Sequence, residues 1–271
     1  MMLICFSKLL RMKKENKTKK ISPTQKIVSV AIFLIVWQII ALTVHKSILL
    51  VGPATVIKRL TTIWMEVGFF NSVFFTLLHI LAGFFLGAVT GMFTGIFAHY
   101  NNWFKALMWP IMSLIRAVPV ASFVVICLIW LSAKNLSILV SFLIVMPFFY
   151  QNIQTGLENV SAELLEMSRV FNLSFTKRTM RIIFPQIIPY IYSCLKTTIG
   201  MSWKAGVAAE IIGTPQGSIG KMLYLSRIYL DTDDLLAWTI IIVLLSILTE
   251  YIIIILFRFI TKRIWGLELS K

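Results

Sequence analysis

Five ionisable side chains lie inside long apolar stretches of this sequence: Arg116, Lys196, Lys204, Glu210 and Glu250. The chain is 58% hydrophobic and only 14% charged over 271 residues, with a mean hydropathy of +0.87, so each of them needs a reason to be there. A charge at a bilayer centre costs about 2.5–3.5 kcal/mol on insertion scales, and it therefore faces a protein interior or a wet cavity. Two chemistries follow. Arg116, Lys196 and Lys204, with Glu210 nearby in sequence, could line a path for a small anion. Alternatively, Glu210 and Glu250 could carry protons in an ion- or proton-coupled secondary transporter. Catalysis is poorly supported. The chain has no His-Glu-x-x-His, no Gly-x-Ser-x-Gly, no paired intramembrane aspartates and no Gly-x-x-x-x-Gly-Lys-[Ser/Thr]. Cys5, Cys127 and Cys194 are far apart, as are His45, His79 and His99, which leaves no disulfide framework and no metal site.

The largest polar island is residues 158–189, with Glu158, Glu163, Glu166, Arg169, Lys177, Arg178 and Arg181 between apolar runs. It must lie outside the lipid, yet Val160, Leu164, Met167 and Phe171 recur at helical spacing. Ser161 is placed to cap that helix, with Glu163 in its first turn. Asn172 falls where the helix should end, and asparagine tolerates the left-handed backbone used there. Ser174 can open a second short helix, and Pro185 suits the first turn of the long apolar helix that follows.

This helix–turn–helix resembles the EAA loop of binding-protein-dependent ABC importer permeases. The family pattern is Glu-Ala-Ala, three residues, Gly, nine residues, Ile-x-Leu-Pro. It matches Glu166-Met167-Ser168, Asn172 and Ile182-Ile183-Phe184-Pro185 with the spacing kept. Met167 and Ser168 replace the small pair, which could loosen helix packing; Asn172 replaces Gly and Phe184 replaces Leu. Arg116-Ala117-Val118-Pro119 and Trp203-Lys204 through Glu210 are similar to segments of the nitrate/sulfonate/taurine branch. The resemblance implies that residues 158–184 are a cytoplasmic coupling loop docking on a separate ABC ATPase subunit. ATP and Mg would be bound there, and this chain would bind no cofactor. It further implies a second permease, as a homodimer, an extracytoplasmic solute-binding protein, and transport of a small anion such as sulfonate, taurine or nitrate. No nucleic-acid partner is expected despite the net charge of +15.

The elements that must position these residues are membrane helices. Residues 1–26 form a basic tail, with Met1 or Met12 as its start. Residues 27–72 hold the first span, Ile27–Val44, and an outer interfacial segment from Pro53 to Trp64. Residues 73–260 form the transport domain, with spans near Val73–Ala98, Ala106–Leu131, Leu136–Ile153, Gln186–Ile212 and Leu235–Ile260. An outer loop covers Gly213–Asp234, and residues 261–271 are a second tail. Of 26 Lys and Arg residues, six fall on outer segments (Lys46, Lys58, Arg59, Lys134, Lys221 and Arg227) and three inside spans. The other 17 fall on inner segments, which puts both termini in the cytoplasm. The expected fold is all-α, with six transmembrane helices in the type I ABC importer arrangement, in the cell membrane. Gly83, Gly87, Gly91 and Gly95 are four apart and mark a close-packing helix face. On the fifth span, Ser193, Lys196, Thr197, Gly200, Trp203, Lys204 and Glu210 fall within an arc of about 140°.

Overall fold

A computed structural model describes residues 22–44 and 50–266 of the chain. Most of the basic tail, with both Met1 and Met12, and the last five residues lie outside the described residues. The chain divides into two units, residues 1–55 and 56–271. In the first, α1 (Pro23–Val44) is apolar from Ile27 to Thr43 after a polar first turn. Pro23 occupies its first turn, where no backbone donor is needed, and the Gln25 side chain accepts from the Ser22 amide at 2.9 Å. The short α2 (Pro53–Leu60) begins in this unit and ends in the second.

The second unit is built on two long helices, α3 (Phe69–Tyr100) and α6 (Leu136–Glu158). The four spaced glycines of α3 face the backbone of α6. A Cβ at Gly83 would lie 2.2 Å from the Ile138 carbonyl oxygen, one at Gly87 2.7 Å from that of Phe142, one at Gly91 2.5 Å from that of Met146, and one at Gly95 2.9 Å from that of Tyr150. No Cβ fits at any of the four without moving backbone, so hydrogen is the only side chain this approach allows. The two series rise together, four residues at a time, so α3 and α6 run parallel. The intervening chain must therefore travel back from the Tyr100 end to the Leu136 end.

That return is made by α4 (Asn102–Ala117) and α5 (Val120–Cys127), which meet at 102°. The third span, read over Ala106–Leu131, is therefore broken into two helices at residues 118–119. The cause is local: Pro119 crowds the residue before it, and Val118 takes extended backbone (φ −73°, ψ 127°) instead of helix. Pro110 and Pro147, by contrast, lie within continuous helices.

Beyond the 159–183 segment, α9 (Phe184–Gly213) runs back antiparallel along α6, and α11 (Thr232–Trp265) runs antiparallel along α9. Phe84, Phe149, Ile199, Trp203, Ile219 and Trp238 fill the shared core. The stretch Gly213–Asp234, read from sequence as a loop, holds a helix, α10 (Ile219–Tyr229), whose N-cap Ser218 accepts from the Lys221 amide at 3.0 Å. At that end Arg59 bridges Glu66 and Asp234, tying α2 to the start of α11, and these carboxylates raise its already high pKa further, Asp234 most strongly. Among the described residues, three helices are long and apolar enough to cross a membrane, or four with the bent pair counted as one span. The polar residues of α9 keep it below that measure.

Candidate functional site

The 159–183 segment joins the ends of α6 and α9 at the same end of the unit as Tyr100 and Trp265. α7 (Ala162–Val170) is capped by Ser161, whose hydroxyl accepts from the Leu164 amide at 3.3 Å, and Glu163 occupies the first turn. Its C-terminus closes in a Schellman arrangement. Leu173 N–H donates to the Ser168 carbonyl at 2.9 Å and Asn172 N–H to that of Arg169 at 3.0 Å. Asn172 sits at φ +48°, the left-handed geometry this closure requires.

The residues at Met167 and Ser168 do not loosen the packing. Ser168 is buried at 1% exposure and its hydroxyl donates to the Leu165 carbonyl at 2.6 Å, whereas Met167 is turned outward and exposed. The inward position demands a small residue, and only that one is small.

The second short helix, α8 (Phe175–Arg178), does not end before the next one. It passes through a π-helical turn, Thr179–Ile183, directly into α9. Pro185 explains the turn: it lacks an N–H, and in regular helix its ring would press on the Arg181 carbonyl four residues back, so the widened turn shifts the register past the proline. Ile182 and Ile183 are buried beneath it.

Two clamps that sequence reasoning missed hold this geometry. Gln186 accepts from the Ser161 amide at 2.9 Å and donates to the Ile182 carbonyl at 3.0 Å, so one side chain ties the two ends of the segment together. Trp265 donates its indole N–H to the Met180 carbonyl at 2.7 Å and stacks on Phe184. Neither could be found from spacing, since each partner comes from a distant element. Lys105 also pairs with Glu158 at 2.9 Å, but both side chains are about half exposed, so this contributes about 1 kcal/mol at most.

Beside the exposed charges Glu163, Glu166, Arg169 and Lys177, the segment turns large apolar side chains outward. Val170, Phe171 and Phe175 are 79%, 70% and 70% exposed, with Leu164, Met167 and Met180 also outward. Two phenylalanines exposed on one turn of a polar segment form an apolar patch of the kind common at protein contacts.

The charged candidates separate. Arg116 on α4 donates to Gln151 of α6 at 2.6 Å. Lys196 lies over the Tyr192 ring at 4.7 Å, and Arg258 of α11 donates to the same tyrosine hydroxyl, at 3.1 Å through its Nε. Lys204 is exposed. Among the described residues no ion pair joins any of these to Glu210. The polar arc of α9 is also divided. Ser193, Lys196, Thr197 and Lys204 are exposed, and Gly200 is half-buried with open space before its Cα. Trp203 turns inward and donates to Thr249 at 2.9 Å. Glu210 is wholly buried: it accepts from Thr76 at 2.7 Å and from the Gly220 amide at 3.2 Å, and the Thr76 hydroxyl itself accepts from the Ile219 amide at 3.0 Å. This carboxylate anchors the N-terminus of α10. Gly220 permits the approach, since a Cβ there would lie 2.3 Å from the Glu210 Cβ. The Gly217-Ser218-Ile219-Gly220 run was the available signal for that anchor. Glu250 is half-buried on α11.

Comparison with known proteins agrees with this architecture. A putative aliphatic sulfonates transport permease, SsuC of Bacillus subtilis (strain 168), is 25% identical over 236 residues, covering 86% of this chain and 84% of that protein. The nitrate import permease NrtB of Synechocystis sp. (strain ATCC 27184 / PCC 6803 / Kazusa) is 29% identical over 195 residues, 68% of this chain and 70% of its own. The taurine transport system permease TauC of Escherichia coli (strain K12) is 26% identical over 234 residues, 84% and 85% respectively. Residues 83–266, from the first glycine of the α3 seam to the end of α11, match a single family description. This chain belongs to the binding-protein-dependent transport system inner membrane components, and it is an ABC transporter permease of the inner membrane, a transport subunit without catalysis of its own.

Proposed function

We propose that the chain is one of two permease subunits of an ATP-driven importer for a small anion. The observation that carries the reading is the braced turn at 159–183, which holds Val170, Phe171 and Phe175 outward. Residues 158–184 act as the coupling loop: Glu166, Met167, Ser168, Asn172, Ile182 and Pro185 shape it, and its apolar tip inserts into an ATPase subunit that binds ATP and Mg. Both termini lie in the cytoplasm, and the chain crosses six times, with α4 and α5 as one broken span and α9 as the fifth. Residues 73–260 are the transport domain; residues 1–26 and 261–271 are its cytoplasmic tails. ATPase closure pushes the loop, and the helices rock between inward- and outward-open states.

The exposed stripe of α9 supports the pairing. Lys196 and Lys204 are exposed on a membrane helix in the single chain, and facing lipid is costly for them. A second copy placed against this stripe would enclose a cationic channel. An external binding protein delivers the substrate, and the sulfonate, nitrate and taurine permeases among its relatives make a small oxyanion or sulfonate the substrate class. Membership of this family sets aside a proton-coupled carrier using Glu210 and Glu250.

Co-expression with the cognate ATPase tests the reading. The wild-type complex should co-purify, Phe171→Asp should dissociate it, and Glu166→Ala should weaken it or uncouple hydrolysis. An ATPase that stays bound to Phe171→Asp with full stimulated hydrolysis would refute docking at this tip.

A further inference from the structure

Two adjoining hollows at the coupling end take no part in the site described above. The first, of about 200 Å³, is walled by Arg169 of α7, Arg178 of α8 and His99 of α3. No carboxylate lines it, and among the described residues neither arginine forms an ion pair. The Arg178 Nε is buried and finds no hydrogen-bond partner among those residues. Two guanidinium groups around a hollow without a counter-ion repel each other, and an unpaired buried donor adds its own desolvation cost. An anion with several acceptor oxygens relieves both, and phosphate matches the guanidinium fork.

The second hollow, of about 230 Å³, is almost wholly apolar, walled among others by Phe93, Ile96, Ile153, Ile187 and Ile191. Tyr100, Leu157 and Ile183 border both hollows, so the two lie side by side. At the junction the Thr179 hydroxyl is buried, again with no partner among the described residues. Phe93 and Ile96 are exposed, which opens the apolar hollow onto the outer flank of α3. A cationic chamber beside an apolar one, at the boundary between the polar segment and the apolar helices, has the outline of an amphiphile.

We propose that this pair of hollows binds an anionic phospholipid, its phosphate between Arg169, Arg178 and His99 and an acyl chain along Ile96 and Ile187. Free phosphate or the transported anion shares the headgroup chemistry but leaves the second hollow without an occupant. The site rests on the cytoplasmic placement of the coupling loop proposed above. Its consequence is mechanical: the headgroup bridges both helices of the loop to α3, so the loop is braced only in a membrane that contains acidic lipid.

The test is native mass spectrometry of the purified permease–ATPase complex titrated with phosphatidylglycerol or phosphatidylcholine. Wild type should retain phosphatidylglycerol in preference. Arg169→Gln/Arg178→Gln should weaken that retention roughly tenfold or more, and Arg169→Lys/Arg178→Lys, which keeps the charge, should restore part of it. Ile96→Trp, which fills the apolar hollow, should weaken phosphatidylglycerol binding while leaving inorganic phosphate without effect. Equal retention of both lipids, or unchanged phosphatidylglycerol binding in the double glutamine variant, would overturn the proposal. So would inorganic phosphate that displaces the lipid in both wild type and Ile96→Trp, which would assign a soluble oxyanion instead. ATPase co-purification is scored on the same samples. Selective lipid retention by a permease that fails to hold the ATPase would sink the coupling reading and leave this site standing.

Discussion

Glu210 shows how a buried charge can be structural. Its partners are a threonine on α3 and a backbone amide on α10, so it joins three elements at the end of the bundle opposite the 159–183 segment. Glu210→Ala leaves both donors unpaired in the core and should cost about 2–4 kcal/mol, lowering the detergent unfolding midpoint by several degrees. Glu210→Gln keeps an acceptor oxygen and should lose less than half of that, with uptake retained. A glutamine variant as stable as wild type but dead in transport would return Glu210 to the translocation path. Asn172 gives a second residue-scale prediction. Because it holds φ +48°, Asn172→Gly should be neutral or slightly stabilising, while Asn172→Val should cost about 1–2 kcal/mol and loosen the ATPase contact, read by co-purification. The two residues also differ in what the sequence could say of them. Asn172 was legible because its cap geometry is decided within six neighbours. Glu210 was read as a candidate pathway group because Thr76 lies far away in sequence and nothing local announces it.

At the scale of helices, the seam between α3 and α6 makes a graded prediction. Alanine at Gly83 meets a backbone oxygen at 2.2 Å, at Gly91 at 2.5 Å, at Gly87 at 2.7 Å and at Gly95 at 2.9 Å. Loss of folded, monodisperse protein should follow that order, with Gly83→Ala worst, at about 2–4 kcal/mol, and Gly95→Ala mildest. Gly200→Ala, where nothing lies within 4 Å, should leave stability unchanged; equal damage at all five sites would refute the seam as the cause. Trp265 is testable in the same way. Trp265→Phe keeps the stacking on Phe184 but loses the bond to Met180, about 1 kcal/mol, whereas Trp265→Ala loses both and should reduce ATPase stimulation further. The glycine face was visible as a four-residue repeat. Pro119 marks a kink within the third span, but hydropathy runs across the break unchanged and gives no sign that the chain turns there by 102°. The helix α10 was hidden for a related reason, since the charges around it mark a loop outside the lipid and carry no signal of helical order.

For the whole molecule, the parallel course of α3 and α6 fixes the path of everything between and after them. It places residues 99–105, 158–184 and 258–265 together at one end, with eight Lys and Arg residues against five (Lys58, Arg59, Lys134, Lys221 and Arg227) at the other. The bias in charge read along the sequence thus becomes a bias between two ends of one structure. The exposed stripe of α9 should then be wet in the assembled transporter. Thr197→Cys should react with a water-soluble maleimide in membranes, and Ile199→Cys, which is 1% exposed, should not; no labelling at Thr197 would place the stripe against lipid or packed protein. The seam also constrains how the protein is made. The glycine face of α3 leaves the ribosome long before Ile138–Tyr150 exist, and until α6 is inserted its groove has no partner to fill it. A chain halted between α5 and α6 carries that groove open in the bilayer, next to a bent pair of helices with nothing to fold back against. Nascent chains of that length are the ones that membrane quality control should find and degrade first, and a slow codon run placed there should lower yield more than the same run placed after α6.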